Sequence, residues 1–402
     1  MLAGLTRWNG VRFVGRTRSV VLLTALLASG AMASGATSAS QPPARQPLAP
    51  LADAAPGRGV PGSYIVTVSD GINARGLARR QGVDPTAIYD AALNGFAARL
   101  SPAQLERVRR SPEVVAVEAN QVVQAATTQP TGDGMWGLDR IDQRRLPFSK
   151  TYKYTSTGAG VTAYVIDSGT LHSHPDFGDR AKLGFDTFGG TGRDCNGHGT
   201  HVAGTIGGTK FGVAKSVRLR TVRVLDCEGS GTTAGVIDGI DFVRRDASGP
   251  SVANMSISGP RSAALDSAAE RLVDSGVAVS VAAGNEGWNA CRNSPGRAVG
   301  VLTVAAIKPS GAHASFSNYG RCVELYAPGV AVRSDWLGGA TATFSGTSMA
   351  SPHVAGVLAL RMSGGGVSAA AAQTWVRRNA TPGTVTGEPT GTADLLLFKS
   401  TL

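Results

Sequence analysis

SGTSMASPHVAG, residues 345–356, is the stretch from which the chain is best read. Ser345, Gly346 and Thr347 are small and lead into Ser348. Met349, Val354, Ala355, Val357, Leu358 and Leu360 follow as an apolar, helix-forming run. The pattern predicts a glycine-bearing turn opening into a buried helix, with Pro352 accommodated in its first turn. A serine there has its hydroxyl clear of a tight turn and unpaired helix-start N–H groups beside it. That suits a nucleophile. It equally suits a plain helix N-cap, and the stretch alone does not choose between the two.

Length and composition narrow the choice. A chain of 402 residues holds a large core and more than one domain. With 53 glycines and only 17% charged residues, it reads as a loop-rich α/β protein rather than a disordered one. The net charge is +11, but residues 1–124 carry 13 Lys/Arg against 7 Asp/Glu and so hold +6 of it. The remaining arginines are scattered, without the aromatic interleaving of a nucleic-acid surface, so no nucleic-acid partner is expected. Arg7, Arg12, Arg16 and Arg18 precede an apolar run at 20–27, and Ala31-Met32-Ala33 supplies small residues at cleavage spacing. This predicts a signal peptide over 1–34 and a secreted, extracellular protein. No segment reaches the ~20 apolar residues of a membrane span, so no membrane partner is expected once the signal is removed.

Residues 35–60 have the Ala, Ser, Pro and Gly composition of a linker. Over 61–124 the pattern is strand (63–69), helix (74–81), two strands around Asn94-Gly95 (87–100), helix, strand (114–118). Ser101-Pro102-Ala103-Gln104 is a capping box with proline at the first helical position. The order β-α-β-β-α-β predicts a small ferredoxin-like α+β domain. From about residue 125 to 402 a larger α/β texture begins. Strands are expected at 160–167, 221–225, 252–256, 277–282 and 301–305, with helices at 232–247 and 263–274. This predicts a mostly parallel sheet covered on both faces. Asp167 and Asn285 fall just past strand ends, where such sheets gather their active residues.

Asp167 runs into Ser168-Gly169-Thr170, and His198 lies in Asn196-Gly197-His198-Gly199-Thr200-His201 at a helix start, with glycines leaving its ring uncovered. Alone, the first reads as a turn-former. The two histidines lack the Glu and third ligand of a zinc site. Together with Ser348, however, VIDSGT, NGHGTHVAGT and SGTSMASPHVAG resemble the three active-site motifs of the subtilisin-like serine proteases, in that family's order Asp, His, Ser. The likeness runs from about Trp136 to the C-terminal region. It is closest to the proteinase K and aqualysin branch, through WGLDRIDQ, DCNGHGTHVAGTIGG, VRVLDCEGSG, VANMS, AAGN and ASFSNYG. The domain at 61–124 is similar to the subtilisin-type inhibitory propeptide.

The resemblance implies a three-layer subtilisin-like fold and a secreted serine endopeptidase that processes its own precursor, cutting within 124–128. It makes Ser348 the nucleophile, His198 the base, Asp167 its orienting partner and Asn285 an oxyanion donor. Gly229, Ser230, Gly231, Ser256, Ile257, Ser258 and Gly259 would hold a peptide as an added strand. Ala282, Ala283 and Gly284 would line the primary specificity pocket. Ser258 stands where the branch usually has glycine, which would narrow or polarise the pocket edge. The cysteines Cys195, Cys227, Cys291 and Cys322 allow three pairings. The resemblance implies Cys195–Cys227 and Cys291–Cys322. It further implies structural calcium (Ca2+) on Asp139, Asp142, Gln143, Ser149 and Thr151. A second calcium site of proteinase K lacks its carboxylate here, and Lys308 would repel a cation. No catalytic cofactor is expected. The implied partners are polypeptide substrates and the chain's own propeptide, on a monomer. Two rivals remain. An α/β-hydrolase esterase would need G-x-S-x-G and the order Ser, Asp, His. A non-catalytic peptide-binding module would keep its cleft permanently locked by the propeptide.

Overall fold

The computed structural model describes residues 47–54, 59–125 and 135–402. The leader at 1–34, most of the linker and residues 126–128 of the expected cut lie outside the described residues.

The N-terminal domain has the expected order. Strands Gly59–Val68, Pro85–Tyr89, Gly95–Arg99 and Val114–Ala125 alternate with helices Ala74–Arg80 and Pro102–Arg109. The capping box forms in both directions: Ser101 Oγ accepts the Gln104 N–H at 3.3 Å and Gln104 Oε1 accepts the Ser101 N–H at 3.0 Å. Two expectations change. The supposed linker contributes an edge strand, Leu51–Ala52, parallel to Val117-Glu118, because Ala49 and Leu51 have an apolar surface to cover. The hairpin turn falls before Gly95, which is itself in the strand. A Cβ at Gly95 would lie 2.2 Å from the Val66 carbonyl oxygen, so glycine serves close strand approach and not the turn.

The C-terminal domain centres on a nine-stranded sheet. In spatial order its parallel strands are Ala181–Asp186, Arg218–Arg223, Thr162–Asp167, Ser251–Met255, Ala278–Ala282, Leu302–Ile307 and Leu325–Pro328. Leu395–Leu396 continues the sheet in parallel and Thr381–Pro382 closes it antiparallel. Thr162–Asp167 shows why both faces are covered. Ala163 and Val165 enter one core with helices His198–Gly207, Thr347–Met362 and Ala369–Asn379. Tyr164 and Ile166 enter another, with helices Thr233–Asp246 and Ala263–Asp274. The chain adds strands in opposite directions from Thr162–Asp167. The crevice at its carboxyl end, between it and Ser251–Met255, is therefore the topological switch point.

The N-terminal sheet lays Ile65, Tyr89, Leu93 and Ala97 on the second helix pair. Polar contacts fix the register. Glu118 accepts from Ser262 Oγ and, at 3.3 Å, from the Ala264 N–H at a helix start, and burial raises its pKa. Asp241 accepts the N–H groups of Ala91 and Ala92 at 2.8 and 2.6 Å. Strand Val114–Ala125 then leaves its own sheet. It runs antiparallel to Ser230–Thr232 on one side and to Ile257–Pro260 on the other, with Gln124 opposite both Ser230 and Ser258.

Pro352 lies in the second turn of helix Thr347–Met362, not the first as expected. Lacking an N–H, it cannot bond the Ser348 carbonyl four residues back. The Ser256 hydroxyl takes that carbonyl at 2.9 Å, which ties the segment after strand Ser251–Met255 to the Ser348 turn. Asn254 donates to Ser256 Oγ at 2.9 Å and accepts from Ser351 Oγ at 2.7 Å. Buried with both amide atoms engaged, it is not a glycosylation acceptor in the folded protein.

Candidate active site

Asp167 ends its strand buried, and its Oδ1 accepts the Ser168 N–H at 2.7 Å. The same oxygen faces His198 Nδ1 at 2.6 Å. With Nδ1–H pointed at a carboxylate, Nε2 is the basic ring atom, and it takes no hydrogen bond among the described residues. His198 is the first residue of its helix, but its ring is buried rather than uncovered. The glycines beside it serve close packing. A Cβ at Gly199 would lie 2.1 Å from the Gly169 carbonyl oxygen, and one at Gly197, where φ is +102°, 2.4 Å from the Trp336 ring.

The residue that fixes this corner was not legible as such in the sequence. Asp194 Oδ1 accepts from Ser168 Oγ and from the N–H groups of Asn196 and Gly197. Its Oδ2 accepts the Thr200 N–H at 2.8 Å and hydroxyl at 2.6 Å. Ser168 Oγ in turn accepts the Gly199 N–H at 2.9 Å. One buried carboxylate thus joins the Asp167 loop to the His198 helix. An Asp just ahead of an apolar helical run is the signal that could have found it. His201 has a different environment: it pairs with the Val332 carbonyl at 3.1 Å, and burial lowers its pKa to about 3. The two histidines therefore do not converge on a metal.

Ser348 is not the helix N-cap. That position is Gly346, so Ser348 is the second helical residue, with its N–H in the first turn. Its hydroxyl donates to the Ser256 carbonyl at 3.1 Å. Asn285 approaches the same turn. Its Oδ1 accepts the Thr347 N–H and hydroxyl, each at 2.9 Å, while Nδ2 is buried without a partner among the described residues. Gly284 carries the left-handed backbone at φ +101°, and Asn285 does not. A Cβ at Gly284 would meet Asn318, Glu286 and Asn293 at 2.3 to 3.0 Å. Asn293 Nδ2 donates to Ser258 Oγ at 2.6 Å, giving this edge of the crevice a polar lining. Of the expected binding residues, Ile257 and Ser258 pair with strand Val114–Ala125 on one side and Ser230 and Gly231 on the other. Gly259 pairs with Ser294, while Gly229 lies in the turn before Ser230 and Ser256 just precedes Ile257. Ala282 and Ala283 are buried at the end of their strand.

The disulfides are Cys195–Cys227 and Cys291–Cys322. The first joins the turn before His198 to the loop before Ser230. Loops of 32 and 31 residues correspond to about 3–4 kcal/mol each on the chain-entropy model. Near the start of the larger domain, Asp139 Oδ1 accepts the Ser149 N–H at 3.1 Å and hydroxyl at 3.0 Å. Gln143 Oε1 faces the Ser149 N–H at 3.2 Å, and Ser149 Oγ lies 2.8 Å from Thr151 Oγ1. Asp142 sits apart from that knot, accepting the Lys153 N–H at 2.7 Å.

Comparison with known proteins agrees with this architecture. Residues 158–393 match the subtilase family and residues 63–126 match peptidase inhibitor I9. An extracellular serine proteinase of Thermus sp. is 46% identical over 341 residues, covering 78% of this chain and 83% of that protein. The alkaline serine protease ver112 of Corniculantispora psalliotae is 43% identical, covering 87% and 93%. The crystal structure of a cold adapted subtilisin-like serine proteinase, 49% identical, superposes with a TM-score of 0.65, covering 67% of this chain and 99% of that one. The chain belongs to the subtilase family: it is a serine-type peptidase with a subtilisin-like fold, preceded by an inhibitor I9 domain.

Proposed function

We propose that the chain is a secreted, monomeric serine endopeptidase precursor that acts through an acyl-enzyme and matures by cutting itself. Ser348 Oγ attacks the scissile carbonyl carbon and its proton passes to His198 Nε2. Asp167 holds Nδ1–H and stabilises the imidazolium. The oxyanion is met by Asn285 Nδ2 and the Ser348 N–H. The tetrahedral centre collapses as His198 gives its proton to the leaving amine. Water, deprotonated by the same ring, then cleaves the ester at Ser348 Oγ.

The observation that carries this reading is the strand Val114–Ala125 lying between Ser230–Thr232 and Ile257–Pro260, as an extended substrate would. Its register steps from Ile257, opposite Ala125, toward Ser256, whose carbonyl holds the Ser348 hydroxyl. A cut within 124–128 fits that direction, after which the I9 domain remains as a dissociable inhibitor. The polar contact between Ser258 and Asn293 supports a narrowed, polar edge to the primary pocket. The same occupied crevice would suit a non-catalytic peptide-binding module locked by its tail. A fluorophosphonate probe separates the two. Expected is one probe per mature chain, on Ser348, with casein digestion blocked by labelling. An unlabelled, uncut chain inert toward casein would leave the binding module.

Calcium would be held by Asp139, Gln143, Ser149 and Thr151, with Asp142 adding charge from nearby. The hard-oxygen donors converging on Ser149 fit such an ion. An ion bound only by the folded chain, at a hundred times its dissociation constant, adds about 2.7 kcal/mol. Chelation should therefore lower Tm by roughly 5–10 °C, and Asp139→Asn should abolish the difference. Identical melting with and without chelator would remove calcium from the account.

A further inference from the structure

Asp335 ends strand Val332–Asp335 with its carboxyl fully buried, and neither oxygen takes a hydrogen-bond donor among the described residues. Its side-chain neighbour is a second carboxyl, that of Asp176. The space between them is closed by the His198 helix. A Cβ at Gly204 would lie 2.6 Å from Asp335 Oδ2. One at Gly208 would lie 2.3 Å from Asp176 Oδ2 and 2.9 Å from Asp335 Oδ2.

The basic groups facing the pair are otherwise engaged. His174 Nδ1 is 3.6 Å from Asp335 Oδ1, but it accepts the Asp176 N–H at 3.2 Å while Nε2 faces the Ala340 carbonyl at 3.0 Å. Both ring nitrogens thus already have backbone partners. Arg180 donates to the carbonyls of Gly207, Val217 and Asp176 and to Thr209 Oγ1. Lys215 Nζ bonds the Lys210 and Gly212 carbonyls, and Lys210 Nζ lies over the Phe211 ring. Asp176 itself is half-buried, and its oxygens accept the Lys210 N–H at 2.8 and 3.1 Å and the Phe211 N–H at 3.4 Å. Asp335 is fully buried with no donor among the described residues, so a charge on it would stand dry against a second carboxyl.

We infer that the buried Asp335 carboxyl keeps its proton beside Asp176, and that this acid pair positions the helix bearing His198 against the hairpin that runs into Ser348. The hairpin is Val332–Asp335 with Thr341–Phe344, and Ser348 follows its second strand by four residues. The same joint carries the bond from Ser334 Oγ to the His201 carbonyl at 2.8 Å. The inference rests on the roles proposed for His198 and Ser348. Burial first, then the Asp176 charge, pushes the Asp335 pKa up to about 8. In the unfolded chain it returns to about 4. The native state therefore keeps a proton that the unfolded state has released. The pair's contribution to stability is full below about pH 4, declines as pH rises, and is gone once pH passes about 8. Above that, two adjacent anions strain the joint.

The test uses the full-length chain in a Ser348→Ala background for melting and the self-matured enzyme for kinetics, each with and without Asp335→Asn, from pH 5 to 10. Asn keeps the shape and cannot ionise. Between pH 5 and pH 9 the parent should lose roughly 5 °C more in Tm than Asp335→Asn. The kcat of the enzyme carrying Asp335 should fall about tenfold through the region of pH 8 with KM steady, while Asp335→Asn stays flat. Asp176→Asn repeats the comparison should Asp335→Asn fold poorly. Parallel melting and kcat profiles overturn the inference. So does a calcium-induced rise in Tm that Asp335→Asn abolishes, which would mean that the pair holds a cation. A chain that cleaves nothing at any pH refutes the proposed function, and with it the positioning role. The melting comparison separately decides the proton retained on Asp335.

Discussion

Ser348→Ala should leave the precursor at full mass indefinitely and inert toward casein, with turnover reduced about a millionfold, the scale measured when subtilisin itself loses its triad serine. The size of the effect follows from how the group is built. His198 Nε2 has no partner of its own among the described residues, and its Nδ1 side is fixed by Asp167 at 2.6 Å. Neither can supply a nucleophile once the hydroxyl is gone. The backbone donor at 348 and the binding strands remain, so residual peptide binding should survive. The fold should survive too, because the Ser256–Ser348 tie runs through a backbone carbonyl that alanine keeps. Intact mass over time, casein digestion and a melting curve read these together. Continued self-cutting by a well-folded Ser348→Ala chain would place the nucleophile elsewhere.

Asn285→Ala should cost about a hundred- to a thousandfold in kcat with KM little changed, again the range known from subtilisin. The amide is oriented before any substrate arrives: Oδ1 is held by the Thr347 N–H and hydroxyl, and Nδ2 is left without a partner. A donor held in this way does its work only where negative charge develops, so its loss falls on the transition state and not on binding. Asn285→Asp keeps an oxygen toward Thr347 but replaces the donor by a negative charge, so it should cost at least as much as Asn285→Ala. If kcat holds in both variants while Tm drops, Asn285 is a turn-stabilising residue and the oxyanion donor lies elsewhere.

Fold class and the candidate residues were legible because they are written locally. A strand ending in a carboxylate, a histidine opening a helix and a serine after a glycine turn each need only a few neighbouring residues. Strands alternating with helices foretold a sheet covered on both faces, and the structure sends Ala163 and Val165 into one core and Tyr164 and Ile166 into the other. The capping box fixed a helix start to the residue. Where the reading slipped, a contact distant in sequence had decided the matter. Gly95 was read as a turn residue, yet it is required by the Val66 carbonyl lying across the sheet. The glycines around His198 were read as exposing its ring, yet they admit Gly169 and Trp336. Residues 51–52 have linker composition but complete a sheet edge.

The sequence by itself determined the order of elements and the two-domain plan, because periodicity, capping and turn chemistry act over a few residues, and its local motifs named the candidate side chains. Only the tertiary structure decided that Asp194 ties the Asp167 loop to the His198 helix, that the Pro352 gap is filled by Ser256, and that Asp335 meets Asp176. It alone laid the strand Val114–Ala125 between two segments more than a hundred residues further along the chain. The physical reason is common to all four. A buried polar group faces whatever neighbour the packed chain brings to it from a distant part of the sequence, and no local pattern records which one that will be.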